Sequence, residues 1–342
     1  MQALVTQPGV AHSTRVADVA PPDGEVLVRV LEVGVCGTDR EISEGLFGVA
    51  PPDDTTLVLG HELLGMVERD GHGFARGDLV TATVRRSCGR CSACEQASPD
   101  SCLTGDYFER GITRLDGFAR ELVAEDAAQL IPIPPSLGRL GVLAEPASIC
   151  ERALRHVRAI GGRQPWQLRR ALVLGGGAIG TLSTLLLRLA GVDVWTASLE
   201  DGNELVDAVG GQYVDARATP LDELGRFDLV IEAAGNAQLM ARSLGLLRRS
   251  GVACLLGIDP RRQTVELDGP TLALDTILEN RVLFGSVNAR REDYVSAVED
   301  LDRARERWPG ALEAFIGLRV PLDRFEDAFA YRGGKATLLL DG

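Results

Sequence analysis

The sequence predicts an α/β protein of two domains, with a doubly wound parallel sheet beside a mostly β region. Three observations carry this. The first third of the 342 residues runs in short apolar stretches broken by Pro-Pro and glycine-rich turns. From about residue 170 apolar strands alternate with helical segments, the order that builds a parallel sheet covered on both faces. Within that part, Ala171-Leu172-Val173-Leu174 runs straight into Gly175-Gly176-Gly177-Ala178-Ile179-Gly180 and then into an apolar helical segment. The chain is too long for one ordinary core and short for three, so two domains are the natural division.

In chain order, the β region contains expected strands at 2–6, 25–33, 65–69 and 78–84. The second region follows with a strand at 171–174, a helix at 182–189, and strands at 192–196, 229–233, 252–257 and 281–285. A helix at 292–307 and a last apolar strand near 336–340 could return to the first domain. The weakly polar stretch 171–187 contains four glycines and is bracketed by Arg170 and Arg188, which reads as a buried strand and helix and not as a membrane span. No internal repeat or low-complexity segment interrupts this order.

Lys plus Arg number 36 against 49 Asp plus Glu, a formal charge of −13 that opposes binding to nucleic acid or to an anionic membrane. A neutral or small polar substrate fits better. Residues 1–10 carry no basic segment followed by an apolar stretch, so neither a secretory signal nor a transit peptide is evident and a cytoplasmic location is expected. Of the seven cysteines, at 36, 88, 91, 94, 102, 150 and 254, four crowd into fifteen residues, which in a cytosolic chain favours metal over disulfides.

The glycine turn has the context that a dinucleotide needs. Gly175 permits the tight turn, Gly177 lets backbone approach a pyrophosphate, and Gly180 allows the helix to pack closely on the sheet. Ala178 and Ile179 lie in the same turn among the expected cofactor-binding residues, and the helix that follows turns its N-terminus to the phosphates. Any glycine-rich loop could show the bare pattern, but the flanking strand and helix identify a Rossmann nucleotide-binding domain. Cys88, Cys91, Cys94 and Cys102 supply four soft ligands in one loop, suiting a tetrahedral structural zinc with no position left for water; four free thiols are the bland alternative. Cys36, His61, Glu62 and Glu145 form a second, dispersed set. One thiolate, one imidazole and carboxylates can hold zinc while leaving a position for substrate oxygen. Individually each is ordinary: a small buried hydrophobe, a satisfied polar residue, a Glu-Pro at a helix start. Spacing alone does not unite them.

Gly60-His61-Glu62, Cys36-Gly37-Thr38-Asp39, the four-cysteine loop and the glycine turn occur in an order that resembles the zinc-containing medium-chain alcohol dehydrogenases over nearly the whole chain. Within that family, the segments 36–41, 83–86, 107–112 and Gly285-Ser286-Val287-Asn288 look like the archaeal-type glucose dehydrogenases. The resemblance implies a GroES-like catalytic domain at about 1–160, with a zinc lobe at about 86–104, completed by 286–342. A Rossmann domain would span 161–285, with the active site in the cleft between them. It implies Cys36, His61, Glu62 and Glu145 as catalytic zinc ligands, one carboxylate retreating as substrate enters. Thr38 would pass the proton onward through the nicotinamide ribose. Glu109 and Asn288 would be substrate-side contacts, Asn288 also near the nicotinamide. The implied reaction moves a hydride from the anomeric hydroxyl of an aldose such as glucose to NAD(P), giving an aldonolactone, in a dimer or tetramer.

The chain departs from the family pattern in places. Val84 and Ile149 are apolar where some relatives place polar sugar contacts, and Glu41 stands where many alcohol dehydrogenases have a relay histidine. These departures motivate an alternative, oxidation of a cyclitol or amino-sugar ring alcohol in a biosynthetic pathway. A further alternative is a nucleotide-binding sensor that kept the fold without catalysis; two zincs per chain favour the enzyme and one favours the sensor. Coenzyme choice is read at Glu200, about twenty residues beyond Gly180, where an acidic side chain accepts from the ribose 2′-hydroxyl. Leu199 and Glu200 replace the arginine pair of several relatives and no basic residue follows before Arg217, so NAD is expected over NADP. Glu200 and Asp201 could also form a mere solvated turn, and Ser198 could still bind a phosphate.

Overall fold

The computed structural model describes residues 1–259, 261 and 263–340. The chain divides into two compact units, one of Met1–Ser148, Asn288–Asp302 and Ile316–Gly342, the other of Ile149–Val287 and Arg303–Phe315. The expected limits lay near 160 and 285, with all of 286–342 in the first domain. The units break instead at Ser148 and Val287, and Ala311–Phe315 packs against the helix Glu204–Ala208 of the second unit.

The first unit is organised by the strand Val26–Val35, in which Val26, Val28 and Val30 are buried at alternating positions and every residue from Glu32 to Val35 is buried beyond an irregularity between Val30 and Glu32. It pairs antiparallel with Glu62–Val67, Leu122–Glu125 and Ala336–Leu339. Leu79–Ala82 and Leu130–Pro132 extend the sheet on one side and Leu318–Pro321 on the other. The last strand of the chain thus lies in the same sheet as its first third, over a core that includes Leu63, Val67, Val80 and Phe118. The strand expected at 78–84 ends at Ala82, where the Thr83 N–H turns to the Gln129 carbonyl. A separate short pair, Arg85–Arg86 with Phe108–Arg110, begins just beyond. The helix Ala144–Gly161 was not expected; Glu145 and Pro146 occupy its first turn, where a missing N–H costs nothing.

The second unit holds six parallel strands in the order Gln212–Asp215, Asp193–Ser198, Arg170–Leu174, Phe227–Glu232, Leu247–Leu255, Val282–Gly285. Numbered along the chain this is 3-2-1-4-5-6, so the order reverses beside Arg170–Leu174, the place where open sheets of this order take ligands beyond the carboxyl ends of their strands. Phe227–Glu232 is buried at every position, as a central strand covered on both faces must be. The first helix starts at Ala178 and not at 182, because the glycine turn feeds directly into it. No helix among the described residues is long and apolar enough to cross a membrane.

Candidate metal centres and nucleotide-binding turn

Cys36 closes the central strand and caps the helix Gly37–Ser43. Its Sγ accepts from the Thr38 N–H at 3.3 Å, while its own N–H donates to Asp39 Oδ2 at 3.0 Å. This reciprocal cap fixes the thiol at the strand end. The Cys36 Sγ lies 3.0 Å from His61 Nε2, and His61, Glu62 and Glu145 bring ligand atoms within 4.8 Å of one another. The structure therefore gathers all four dispersed residues around His61. Thr38 is half-buried beside Cys36.

Two further residues complete the cluster. Asp39 Oδ1 faces His61 Nδ1 at 3.4 Å, which directs Nε2 toward Cys36. Lys335, the only lysine in the chain, is buried and ion-paired to Glu62. Gly34 stands opposite Glu62 in the sheet, and a Cβ there would collide with the Glu62 carboxylate and crowd the Lys335 chain at 2.9 Å. A signal for Asp39 lay in the Cys36-x-x-Asp39 capping spacing; for Lys335 it lay only in the solitary lysine.

The cluster is anion-rich. Asp39, Glu62 and Glu145 are all buried around Cys36, with Lys335 and His61 as the basic partners. Burial pulls His61 down, but the Cys36 thiolate and Asp39 outweigh it and raise the imidazole well above its ordinary value. Burial pushes Glu145 up to about 8, with His61 opposing and Glu62 reinforcing the rise. A dry site with surplus carboxylate calls for a cation. Sulfur, imidazole nitrogen and carboxylate oxygen are the donors zinc takes when one position stays open.

The four-cysteine set differs in chemistry and setting. Cys88, Cys91, Cys94 and Cys102 bring their sulfurs within 4.8 Å of one another, Cys91 and Cys94 at 3.5 Å and Cys88 and Cys94 at 3.9 Å, with no disulfide among them. The Thr104 hydroxyl and neighbouring backbone lower the Cys102 thiol to about 6, whereas desolvation and the adjoining thiols push Cys94 up to about 12. Four thiols thus share their charge unevenly without an ion, and a tetrahedral zinc fits them.

In the second unit, Gly175 has φ +111° and a Cβ there would meet the Ala234 N at 2.8 Å. Space is open before Gly177, which caps the helix Ala178–Leu189, and a Cβ on Gly180 would strike the Gly175 carbonyl. Ala178 and Ile179 form the helix opening. Ser198 accepts from the Gly176 N–H at 3.0 Å and donates to the exposed Glu200 carboxylate, which therefore lies over the turn. Arg217 is held by Asp201 at 2.7 Å and Asp215 at 2.9 Å. In the first unit, Asn288 is buried in a left-handed conformation, φ 70°, and its Nδ2 has no hydrogen-bond partner among the described residues. Asparagine takes this conformation more readily than most residues, so what marks the position is its buried side chain with an unpartnered Nδ2 among the described residues. Glu109 is not in the metal cluster; it pairs with Arg85.

Residues 22–135 match the alcohol dehydrogenase GroES-like domain and residues 138–338 the glucose dehydrogenase C-terminus. A GroES-like β unit with a 3-2-1-4-5-6 parallel sheet is the architecture of the medium-chain dehydrogenases. The chain belongs to the glucose dehydrogenase family within that class. It is 39% identical to the glucose 1-dehydrogenase of Methanocella arvoryzae, covering 96% of this chain and 95% of that one. It is also 39% identical to that of Thermoproteus tenax, over 97% and 96%. Among solved structures, Haloferax mediterranei glucose dehydrogenase in complex with NADP, Zn and gluconolactone superposes with a TM-score of 0.91, at 32% identity and 100% coverage of both chains.

Proposed function

We propose that the chain is a zinc-dependent NAD(P) oxidoreductase that oxidises an aldose such as glucose at C1 to an aldonolactone. The observation that carries this is the convergence of Cys36, His61, Glu62 and Glu145 in a chain related along its whole length to glucose 1-dehydrogenases. When bound, zinc supplies the Lewis acidity that lowers the pKa of the substrate hydroxyl, and the nicotinamide accepts the hydride. Those four residues hold the metal, with Asp39 orienting His61 and Lys335 engaging Glu62. Thr38 Oγ1 takes the hydroxyl proton. Glu109 and Asn288 orient the polyol. The four cysteines hold a second zinc that secures their loop.

The Gly175–Gly180 turn, with Ala178 and Ile179, binds the pyrophosphate, and Glu200 accepts from the ribose 2′-hydroxyl. NAD is preferred, a reading supported by the Glu200 carboxylate over Gly176 and by Arg217 being engaged with two aspartates. The protein works as a homo-oligomer, supported by the exposed Leu272, Leu274, Ile277, Leu278 and Leu283 along one segment of the second unit. The thiolates that both metal sets require favour a reducing compartment, the cytoplasm. A panel of aldoses, cyclitols and simple alcohols with NAD and with NADP, scored by reduced-coenzyme absorbance, tests the proposal. Aldoses with NAD should give the highest kcat/KM. A cyclitol or simple alcohol in first place would replace the substrate assignment, and a higher kcat/KM with NADP would replace the coenzyme assignment.

A further inference from the structure

Glu109 and Arg85 stand directly opposite each other in the antiparallel pair formed by Phe108–Arg110 and Arg85–Arg86. Cross-strand partners project to the same face, so the pairing register itself brings the two side chains together. Arg85 Nε and Nη2 both reach Glu109 Oε1, at 3.0 and 2.9 Å. The remaining nitrogen, Nη1, donates to the Asp100 carbonyl at 3.0 Å, and the guanidinium lies 4.0 Å over the Tyr107 ring. Edge, end and face of the guanidinium are therefore all fixed. Glu109 Oε2, by contrast, makes no hydrogen bond among the described residues, although the side chain is only 14% exposed.

A carboxylate clamped through one oxygen presents the other as an acceptor in a set position. Left to itself, a half-buried glutamate would sample several rotamers, and a substrate hydroxyl would have to order it on binding. Arg85 removes that cost before substrate arrives, and its charge balances the carboxylate so that the free oxygen need not find another cation. The anchor on Asp100 lies in the turn Pro99–Ser101, immediately before Cys102, which ties the arrangement to the cysteine loop. A lysine could supply the charge, but not the planar fork or the stacking on Tyr107.

We infer that Arg85 is a positioning residue that holds Glu109 Oε2 ready to accept a hydroxyl of a polyol substrate, setting substrate affinity without touching substrate. This rests on the proposed role of Glu109. The test is a cycle of Arg85→Gln, Glu109→Ala and the double variant. KM and kcat are measured on the sugar or polyol the parent oxidises best, beside coenzyme Kd and Tm. Arg85→Gln should raise KM by roughly 10–100-fold, the scale of a lost charge-assisted bond, with kcat and coenzyme Kd within about twofold of the parent. The double variant should be no worse in KM than Glu109→Ala alone. Arg85→Lys should fall between parent and Arg85→Gln, and it carries the cycle if Arg85→Gln does not fold. Multiplying KM effects in the double variant, or an unchanged KM in Arg85→Lys and Arg85→Gln, would overturn the inference while leaving Glu109 in its role. An unchanged KM in Glu109→Ala would overturn both together.

Discussion

The two cysteine-containing clusters of the first unit solve opposite problems. Cys88, Cys91, Cys94 and Cys102 come from one loop, use a single donor type, and sit where solvent reaches them. Cys36, His61, Glu62 and Glu145 come from a strand end, a turn, a strand start and a helix start, mix three donor types, and are mostly buried. Four equivalent thiolates close a coordination shell, which suits an ion that holds a fold. Mixed donors backed by Asp39 and Lys335 leave geometry adjustable, which suits an ion that meets substrate. Closure and the contacts of Asp39 and Lys335 behind the ligands, more than the presence of cysteine, separate the two proposed roles.

The sharpest way to break this comparison is to remove a ligand from the buried cluster. Cys36→Ser or His61→Ala should lower kcat by about a thousandfold or more while coenzyme affinity stays close to that of the parent, since several kcal/mol of charge stabilisation disappear with the metal. Steady-state kinetics beside a coenzyme titration checks it. Parent-like kcat in both variants would dissolve the distinction between the clusters.

A second variant probes the support behind the buried cluster. Lys335→Met leaves Glu62 charged and unpaired in the interior, and should cost about 3–5 kcal/mol in chemical denaturation of the metal-free protein. Added zinc should restore part of that loss, because the ion gives Glu62 another positive partner. An equal loss with and without zinc would mean that the pair serves only the sheet.

A smaller effect follows from Glu145. Its carboxyl is raised from 4.5 to about 8 by burial, so the folded metal-free protein favours the protonated form. The resulting stability is complete below about 4.5 and is lost as pH rises toward about 8. The Tm of the metal-free protein should therefore fall across that window more steeply than the Tm of Glu145→Gln, and zinc should flatten the difference. Identical pH profiles for the two proteins would refute this part of the account.

The same contrast explains what could be read from sequence. The cysteine loop was legible because its ligands are local and their spacing carries the geometry. The glycine turn was legible because Arg170–Leu174 and the following helix frame it. The buried set was legible only through family resemblance, since nothing in the spacing of 36, 61, 62 and 145 encodes that two strand ends and a helix start meet. Lys335 lies 273 positions from Glu62, and only the pairing of the last strand with the central one brings it near. The helix Ala144–Gly161 was legible and went unread: its polar and apolar positions keep the helical period even though Glu151 and Arg152 are buried. Arg85–Arg86 and Gln212–Asp215 are short and polar, and their neighbours' hydrogen bonds make them strands.

Native mass spectrometry of the zinc-loaded protein, read together with thermal melting, tests the central claim most directly. The parent should carry two zinc ions per chain. His61→Ala should carry one and lose little melting temperature, because Lys335 and the protonated Glu145 still compensate the buried carboxylates, whereas Cys94→Ser should also carry one but melt roughly 5–10 °C lower, because the closed site contributes more folding energy than the open one. A single zinc in the parent, or equal losses of melting temperature in the two variants, would contradict the assignment of one site to chemistry and the other to the fold.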